Sequence, residues 1–217
     1  MTVKKSLSFY SFIPPFAVLA SNLISSFITR MFTAGGHIYD ITLPVDRALP
    51  FVPEFIYVYV LAFLQWAVCL IAIMIIDSKK SLYYCMGITF GNIISGVIFL
   101  LFPTVMSIRP DFSGGGAVTE LIGRFIFAAD TPPMNIFPSV HCLTSWGCMR
   151  MIFALKRIPK WLKIANAIFS VLVFLSVLFV KQHLIFDVPA GIIIFEAGLL
   201  ITRITGIDKK LYNMRFQ

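Results

Sequence analysis

Six apolar stretches, each near the length a helix needs to cross a bilayer, govern what this chain can become. A helix requires about 20 mostly apolar residues to span the hydrocarbon core, and the stretches run approximately over residues 9–29, 55–76, 82–106, 139–155, 162–180 and 184–204. The fourth is the shortest and carries Ser139, His141 and Thr144 near its start, so hydropathy alone rates it weakest. Composition points the same way. Hydrophobic residues make up 59% of the 217 and charged residues 13%, whereas a soluble domain carries roughly 25% charged residues. The polar surface of a water-facing globule is missing. The 22 phenylalanines are equally the reverse of a disordered composition. The expected fold is all-α: a polytopic membrane helical bundle with six transmembrane helices, forming a single membrane domain over residues 1–217.

Lysine and arginine orient such a bundle. Lys4 and Lys5 precede the first stretch, and Lys79 and Lys80 separate the second from the third. Lys156, Arg157, Lys160 and Lys163 fill the fourth-to-fifth connection, and Arg203, Lys209, Lys210 and Arg215 follow the sixth. With Arg150, that side holds thirteen of the eighteen basic residues. Arg30, Arg47, Arg109, Arg124 and Lys181 lie on the other, with seven of the ten acids. Lys and Arg accumulate in cytoplasmic loops, so both termini are expected in the cytoplasm. The net charge of +8 then reads as membrane orientation, and no nucleic-acid partner is expected. A cleavable signal peptide is the competing reading of the first stretch, with Lys4 and Lys5 as its charged start. The length of the run and Pro14–Pro15 argue against it, and cleavage would leave the later sidedness unchanged.

Cys69, Cys85, Cys142 and Cys148 fall within or beside apolar runs. They have neither metal-ligand spacing nor the pattern of a disulfide framework, and they read as small packing residues. Two non-cytoplasmic connections are long. Residues 30–54, with Gly35, Gly36, Pro44, Pro50 and Pro53, are polar enough to leave the membrane, with 49–51 at its surface. Residues 107–138 contain Gly114, Gly115 and Gly116, then a candidate interfacial helix over 117–128. Long loops tend to carry function.

Four groups of polar residues stand where hydropathy does not explain them: Arg109–Pro110–Asp111, Phe137–Pro138–Ser139–Val140–His141, Lys181–Gln182–His183 with Asp187, and Glu196 alone and deeper. The topology places the first three groups on one membrane face. His183 and Asp187 are four residues apart, and on a helix the two side chains meet. A carboxylate on one ring nitrogen fixes the tautomer and leaves the other free as base or nucleophile; the alternative is a pair that merely ends a helix. Pro138–Ser139 reads as a helix start with Ser139 as N-cap. Helix N-terminal amides form a ready phosphate site, with His141 in the first turn as a proton donor or as an interfacial histidine. Arg109 and Lys181 supply positive charge for a phosphate, or snorkel to the headgroup region. Glu196 is too remote for this site, and Asn92 reads as an interhelical hydrogen bond.

These residues carry a resemblance. The chain resembles the membrane-bound type 2 phosphatidic acid phosphatase superfamily of lipid phosphatases and phosphotransferases, over roughly residues 50–205. That family has a lysine seven residues before Arg-Pro, a Pro-Ser-x-His, and a Ser-Arg followed after five residues by His-x-x-x-Asp. Here Arg109 and Pro110 stand for the first, Pro138, Ser139, Val140 and His141 for the second, and Ser176, His183 and Asp187 for the third. Phe102 occupies the position of the first-motif lysine and Val177 that of the third-motif arginine. Lys181 is the candidate to replace one lost cation. The surroundings of His141 and His183 are similar to a divergent subgroup related to inositol-phosphoceramide and sphingomyelin synthases.

The resemblance implies catalytic roles for His183, His141 and Asp187. His183 would attack phosphorus and form a phosphohistidine, Asp187 would orient it, and His141 would protonate the departing alcohol. Arg109, Ser139 and Lys181 would bind the substrate. It implies no metal and no other cofactor, a lipid phosphate substrate, and an active site on the non-cytoplasmic face of a multi-pass membrane protein. With water as acceptor the protein is a phosphatase, the first expectation. With an alcohol headgroup it is a phosphotransferase, and a catalytically inactive family member is the third possibility.

Overall fold

The structure is a computed structural model that describes residues 12–33 and 37–214. Lys4, Lys5, the start of the first stretch at Phe9, Gly35, Gly36 and Arg215 lie outside the described residues, as does the side chain of Arg30. The described residues are mostly helical. A first helical run comprises α1 (Ile13–Leu23), a π-helical turn (Ile24–Ile28) and α2 (Thr29–Thr33). After β1 (Tyr39–Asp40) and the short α3 (Pro44–Ala48) come α4 (Phe55–Ile76) and α5 (Ser78–Leu101). β2 (Thr104–Val105) and α6 (Ala117–Ala129) precede α7 (Val140–Ala154), α8 (Lys160–Phe179), α9 (Asp187–Thr205) and α10 (Ile207–Met214). Four of these, α4, α5, α8 and α9, are long and apolar enough to cross a membrane. That is the pattern of a multi-pass membrane protein.

Local chemistry sets the helix ends. Asp77 accepts from Lys80 N (3.1 Å) and starts α5 straight after α4. Ser139 does the same for α7, accepting from Cys142 N at 3.2 Å. Gly206, at φ 61°, takes the left-handed conformation that ends α9. The third apolar stretch was expected to reach residue 106, but α5 stops at Leu101. Pro103 has no amide to continue a helix, and the next residues pair instead in a parallel ladder, Tyr39 with Thr104 and Asp40 with Val105.

The bundle interior is glued by small and polar residues, as expected where the solvent is itself apolar. A side chain at Gly198 would meet the Gly87 carbonyl, so α5 and α9 touch backbone to backbone. A side chain at Gly191 would likewise meet the Ser139 carbonyl, which lets the start of α9 press on the start of α7. Asn92 of α5 donates to Ser21 Oγ of α1 at 3.0 Å. Trp66 of α4 donates to Ser145 of α7 at 2.9 Å, and Gln65 reaches Ser170 of α8 at 2.8 Å.

The long connections fold over one end of the bundle. α6 lies there with Gly123 against the Phe112 ring and with Val118, Leu121 and Phe125 exposed along one stripe. α3 lies there too, on the turn between α8 and α9, because Val52 N donates to Phe179 O at 3.1 Å and Ile185 N to Asp46 Oδ1 at 2.8 Å. Glu196, expected to stand alone, does not. It binds Arg150 Nε at 3.0 Å and Trp146 Nε1 at 2.8 Å, away from the end that carries the histidines.

Candidate functional site

Two turns of backbone bring the histidines together. At the start of α7, Ser139 is enclosed; its amide donates to Asp187 O (3.3 Å) while its hydroxyl caps the helix. Ser139 therefore ties α7 to α9, with its hydroxyl oxygen accepting from Cys142 N. One turn in, His141 lies against the aromatic wall of α4. Its ring stacks on Tyr59 with centroids 4.4 Å apart and contacts Phe63 at 5.5 Å and Trp66 at 5.1 Å. Its Nε2 is enclosed without a hydrogen-bond partner among the described residues. The ring must therefore turn over or work through Nδ1 to exchange a proton in the cleft.

His183 stands 6.0 Å from His141, centroid to centroid. Its Nδ1 lies 2.8 Å from Ile136 O and 3.1 Å from Asp187 Oδ2. Both partners are acceptors, so Nδ1 carries the proton, and Nε2 is left as the basic nitrogen. The i, i+4 pairing on a helix face was the wrong local picture, since α9 begins only at Asp187. The two meet through the turn before α9, where Asp187 Oδ2 also accepts from Leu184 N at 2.8 Å.

The turn itself is unusual. Lys181 has φ 54°, a left-handed conformation uncommon outside Gly and Asn. It reverses the chain so that the amides of Gln182 and His183 both donate to Val177 O at 3.0 Å. Lys181 Nζ donates to Asp46 O at 2.8 Å and to Leu49 O at 2.7 Å. Its side chain is held under the α3 loop and does not line the histidine cleft, where it was expected as a phosphate ligand. Burial pulls its pKa below the usual lysine value, opposed by the nearby Asp46 charge.

Arg109 does reach this end, one layer behind the cleft. Its Nη2 lies 2.6 Å from Asp130 Oδ2, and its guanidinium sits 4.3 Å over the Phe127 ring. With its amide nitrogen toward the carboxylate, Gln182 donates to Asp130 Oδ2 (3.2 Å) and accepts from Arg109 Nη1 (3.1 Å). Asp111, its sequence neighbour, is not part of the cluster. It faces Arg124 at 3.9 Å, and hydrogen bonds to Ser113 hold its pKa below the usual carboxylate value.

A cleft of about 240 Å³ opens between these groups, lined among others by Asn22, Ser26, Tyr59, Asp130, Asn135, Gln182 and both histidines. No lysine or arginine among the described residues lines it. Nor do the described residues gather three His, Cys, Asp or Glu side chains that could hold a metal ion. The structure thus brings together His141, His183, Asp187 and, behind them, Arg109. It sets Ser139 to capping and Lys181 to the loop. Asn22, Ser26, Tyr59, Asp130 and Asn135 had escaped the sequence reading. Asn22 and Ser26 carried a usable signal, as polar residues inside an apolar stretch. Asp130 and Asn135 carried none, because their partners are distant in sequence. No protein-family model, curated protein or solved structure matches the chain.

Proposed function

We propose that this chain is an integral membrane lipid phosphatase or phosphotransferase of the type 2 phosphatidic acid phosphatase kind, working through a phosphohistidine at His183. The observation that carries the reading is the His183 imidazole, its Nδ1 proton held between a backbone carbonyl and Asp187, facing a second histidine 6.0 Å away. The chemistry follows from that arrangement. His183 Nε2 attacks phosphorus, the P–O bond to the lipid alcohol breaks, and His141 gives its proton to the leaving oxygen. In the second half, water or an alcohol attacks the phosphohistidine and returns a proton to His141. The carboxylate and carbonyl hold one tautomer throughout, so little reorganisation accompanies the attack.

The N1 and N2 amides of α7 lack intrahelical acceptors by helix geometry, and they offer donors to the equatorial oxygens. Arg109 strengthens that field from behind Gln182 and Asp130. We take the helical run 13–33 and α7 as the remaining two of six spans. Fifteen residues carry α7 only about 22 Å, so the buried segment before it completes the crossing, a form tolerated where protein surrounds it. Both termini then lie in the cytoplasm and the histidine cleft opens on the other face, near headgroup level. A phosphomonoester or diphosphate lipid enters sideways from the bilayer. Phosphatase is the primary reading, with headgroup transfer favoured where an alcohol displaces water. The test is a trap. Purified protein is incubated with lipid phosphate labelled at phosphorus, and acid-labile label on the protein is measured. Label that His183→Ala abolishes supports the reading, and a wild-type protein that never acquires label refutes it.

A further inference from the structure

Glu196 stands at the middle of α9 (Asp187–Thr205), about 13 Å along the axis from either end. α9 is long and apolar enough to cross a membrane, which puts this acid at the depth where a charge costs most. Its carboxylate is paired. Oε1 accepts from Trp146 Nε1 at 2.8 Å and meets Arg150 Nε at 3.0 Å, while Oε2 meets Arg150 Nη2 at 3.4 Å. Even so, the side chains of Arg150 and Glu196 remain 46% and 40% exposed. The exposed residues beside them are apolar: Ile193 and Leu200, one turn to either side of Glu196 on α9, and Phe153, the turn after Arg150 on α7.

An ion pair left half open to hydrocarbon calls for a cover. Arg150 does not relieve the cost by snorkelling to the headgroups, because it is held on Glu196. That pairing takes two of the five N–H donors of the guanidinium, and the others remain for a second carboxylate. The face thus offers a cation and an anion side by side at one depth. A partner that satisfies both must carry the opposite pair in the opposite order at that same depth. A second copy of this chain does so under a two-fold axis along the membrane normal, where rotation sets each Arg150 against the Glu196 of the other copy. Such a contact is isologous and closes at two copies. Polar side chains are the natural join between helices in lipid, where apolar faces gain little by leaving the acyl chains.

We propose that the α7–α9 face is the interface of a homodimer within the bilayer, centred on a ring of two Arg150 and two Glu196 side chains with Ile193, Leu200 and Phe153 packed around it. The inference does not rest on the phosphoryl-transfer reading. Its consequence for the cleft is mechanical. α7 and α9 carry His141 and Asp187 in their first turns, so pairing through these helices braces the frame that holds both side chains.

The test uses the full chain, labelled with a donor or an acceptor dye at a C-terminal peptide tag and reconstituted into phosphatidylcholine–phosphatidylglycerol liposomes. Energy transfer is followed against the protein-to-lipid ratio and the acceptor fraction. Transfer that saturates with the ratio and rises linearly with acceptor fraction, the signature of a pair, is expected. Arg150→Met combined with Glu196→Gln removes both charges, leaves none unpaired and keeps an acceptor for Trp146. It should raise the dissociation constant by about tenfold or more. Arg150→Glu combined with Glu196→Arg keeps the pair within each chain and the ring between like copies, but opposes like charges across a mixed pair. These exchanged chains should pair with one another, and more weakly with wild type by about tenfold or more. No transfer beyond random proximity, unchanged transfer in the neutral variant, or mixed pairs as strong as like ones overturns the proposal. Where the exchanged protein does not fold, wild type and the neutral variant decide it.

Discussion

Lys181→Met separates two accounts of one lysine. Methionine keeps the length of the side chain and its Cβ but removes the ammonium. The structure gives that ammonium two backbone carbonyls, Asp46 O at 2.8 Å and Leu49 O at 2.7 Å, under a residue 4% exposed. A hydrogen bond from a charged donor contributes about 1.5–3 kcal/mol. Relief of the buried charge offsets part of the two, leaving a loss of about 3 kcal/mol. For a chain of this size that lowers the melting temperature by about 6–12 °C. The α3 loop and the turn carrying Gln182 and His183 lose one of their shared anchors, so phosphohistidine labelling should fall along with stability. The assay is thermal unfolding of the purified protein in detergent, run beside labelling over a range of lipid phosphate concentrations. If Lys181 were a phosphate ligand, the variant would melt at the wild-type temperature and need more substrate. A melting temperature within about 2 °C of wild type refutes the clamp.

Other perturbations follow from the same geometry. Gly198→Ala places a methyl on the Gly87 carbonyl and should destabilise by about 1–3 kcal/mol, measured as a lower melting temperature. His141→Ala should lower turnover of any lipid phosphate by about 10²–10⁴-fold, and a normal rate would remove its acid role. Arg109→Lys keeps a charge but loses the fork that meets both Asp130 and Gln182; phosphohistidine labelling should drop at fixed substrate, and unchanged labelling would exclude Arg109 from the site.

The long apolar helices were legible because their cause is local. α4 and α8 follow the expected stretches within a residue or two, since hydropathy over twenty residues is what a membrane span is made of. The end of α5 was not legible by that measure. Residues 102–106 remain apolar enough to extend the stretch, while Pro103 and the pairing with Tyr39 and Asp40 end the helix. At the site, Ser139 as N-cap was readable from Pro138–Ser139, and the His183–Asp187 contact survived a mistaken premise about its backbone. The position of the Lys181 ammonium was not legible, because the destination of a long side chain depends on how residues 43–52 fold, which no spacing reports. Asp130 and Asn135 stayed hidden for the same reason. Their meaning comes from Arg109 and Thr29, 21 and 106 residues away.

The cleft exists because one helix is short. His141 meets Tyr59, Phe63 and Trp66, residues of the second to fourth turns of α4, so α7 starts well below the end at which α4 begins. At 15 residues against 22 and 24 for α4 and α5, it falls about 10–14 Å short of its neighbours. Apolar residues alone would close such a gap by collapse. Here the Ser139 cap and the Gly191 contact hold the start of α7 where it is, and α3 and α6 fold over the end without filling it. Polar groups can then stand below the outer surface of an apolar bundle and remain reachable. The proposed reaction on a lipid headgroup would require that condition, with the anion meeting fixed imidazoles while its alkyl chains stay among apolar helix faces. A longer α7 would bury the same histidines in the packed interior.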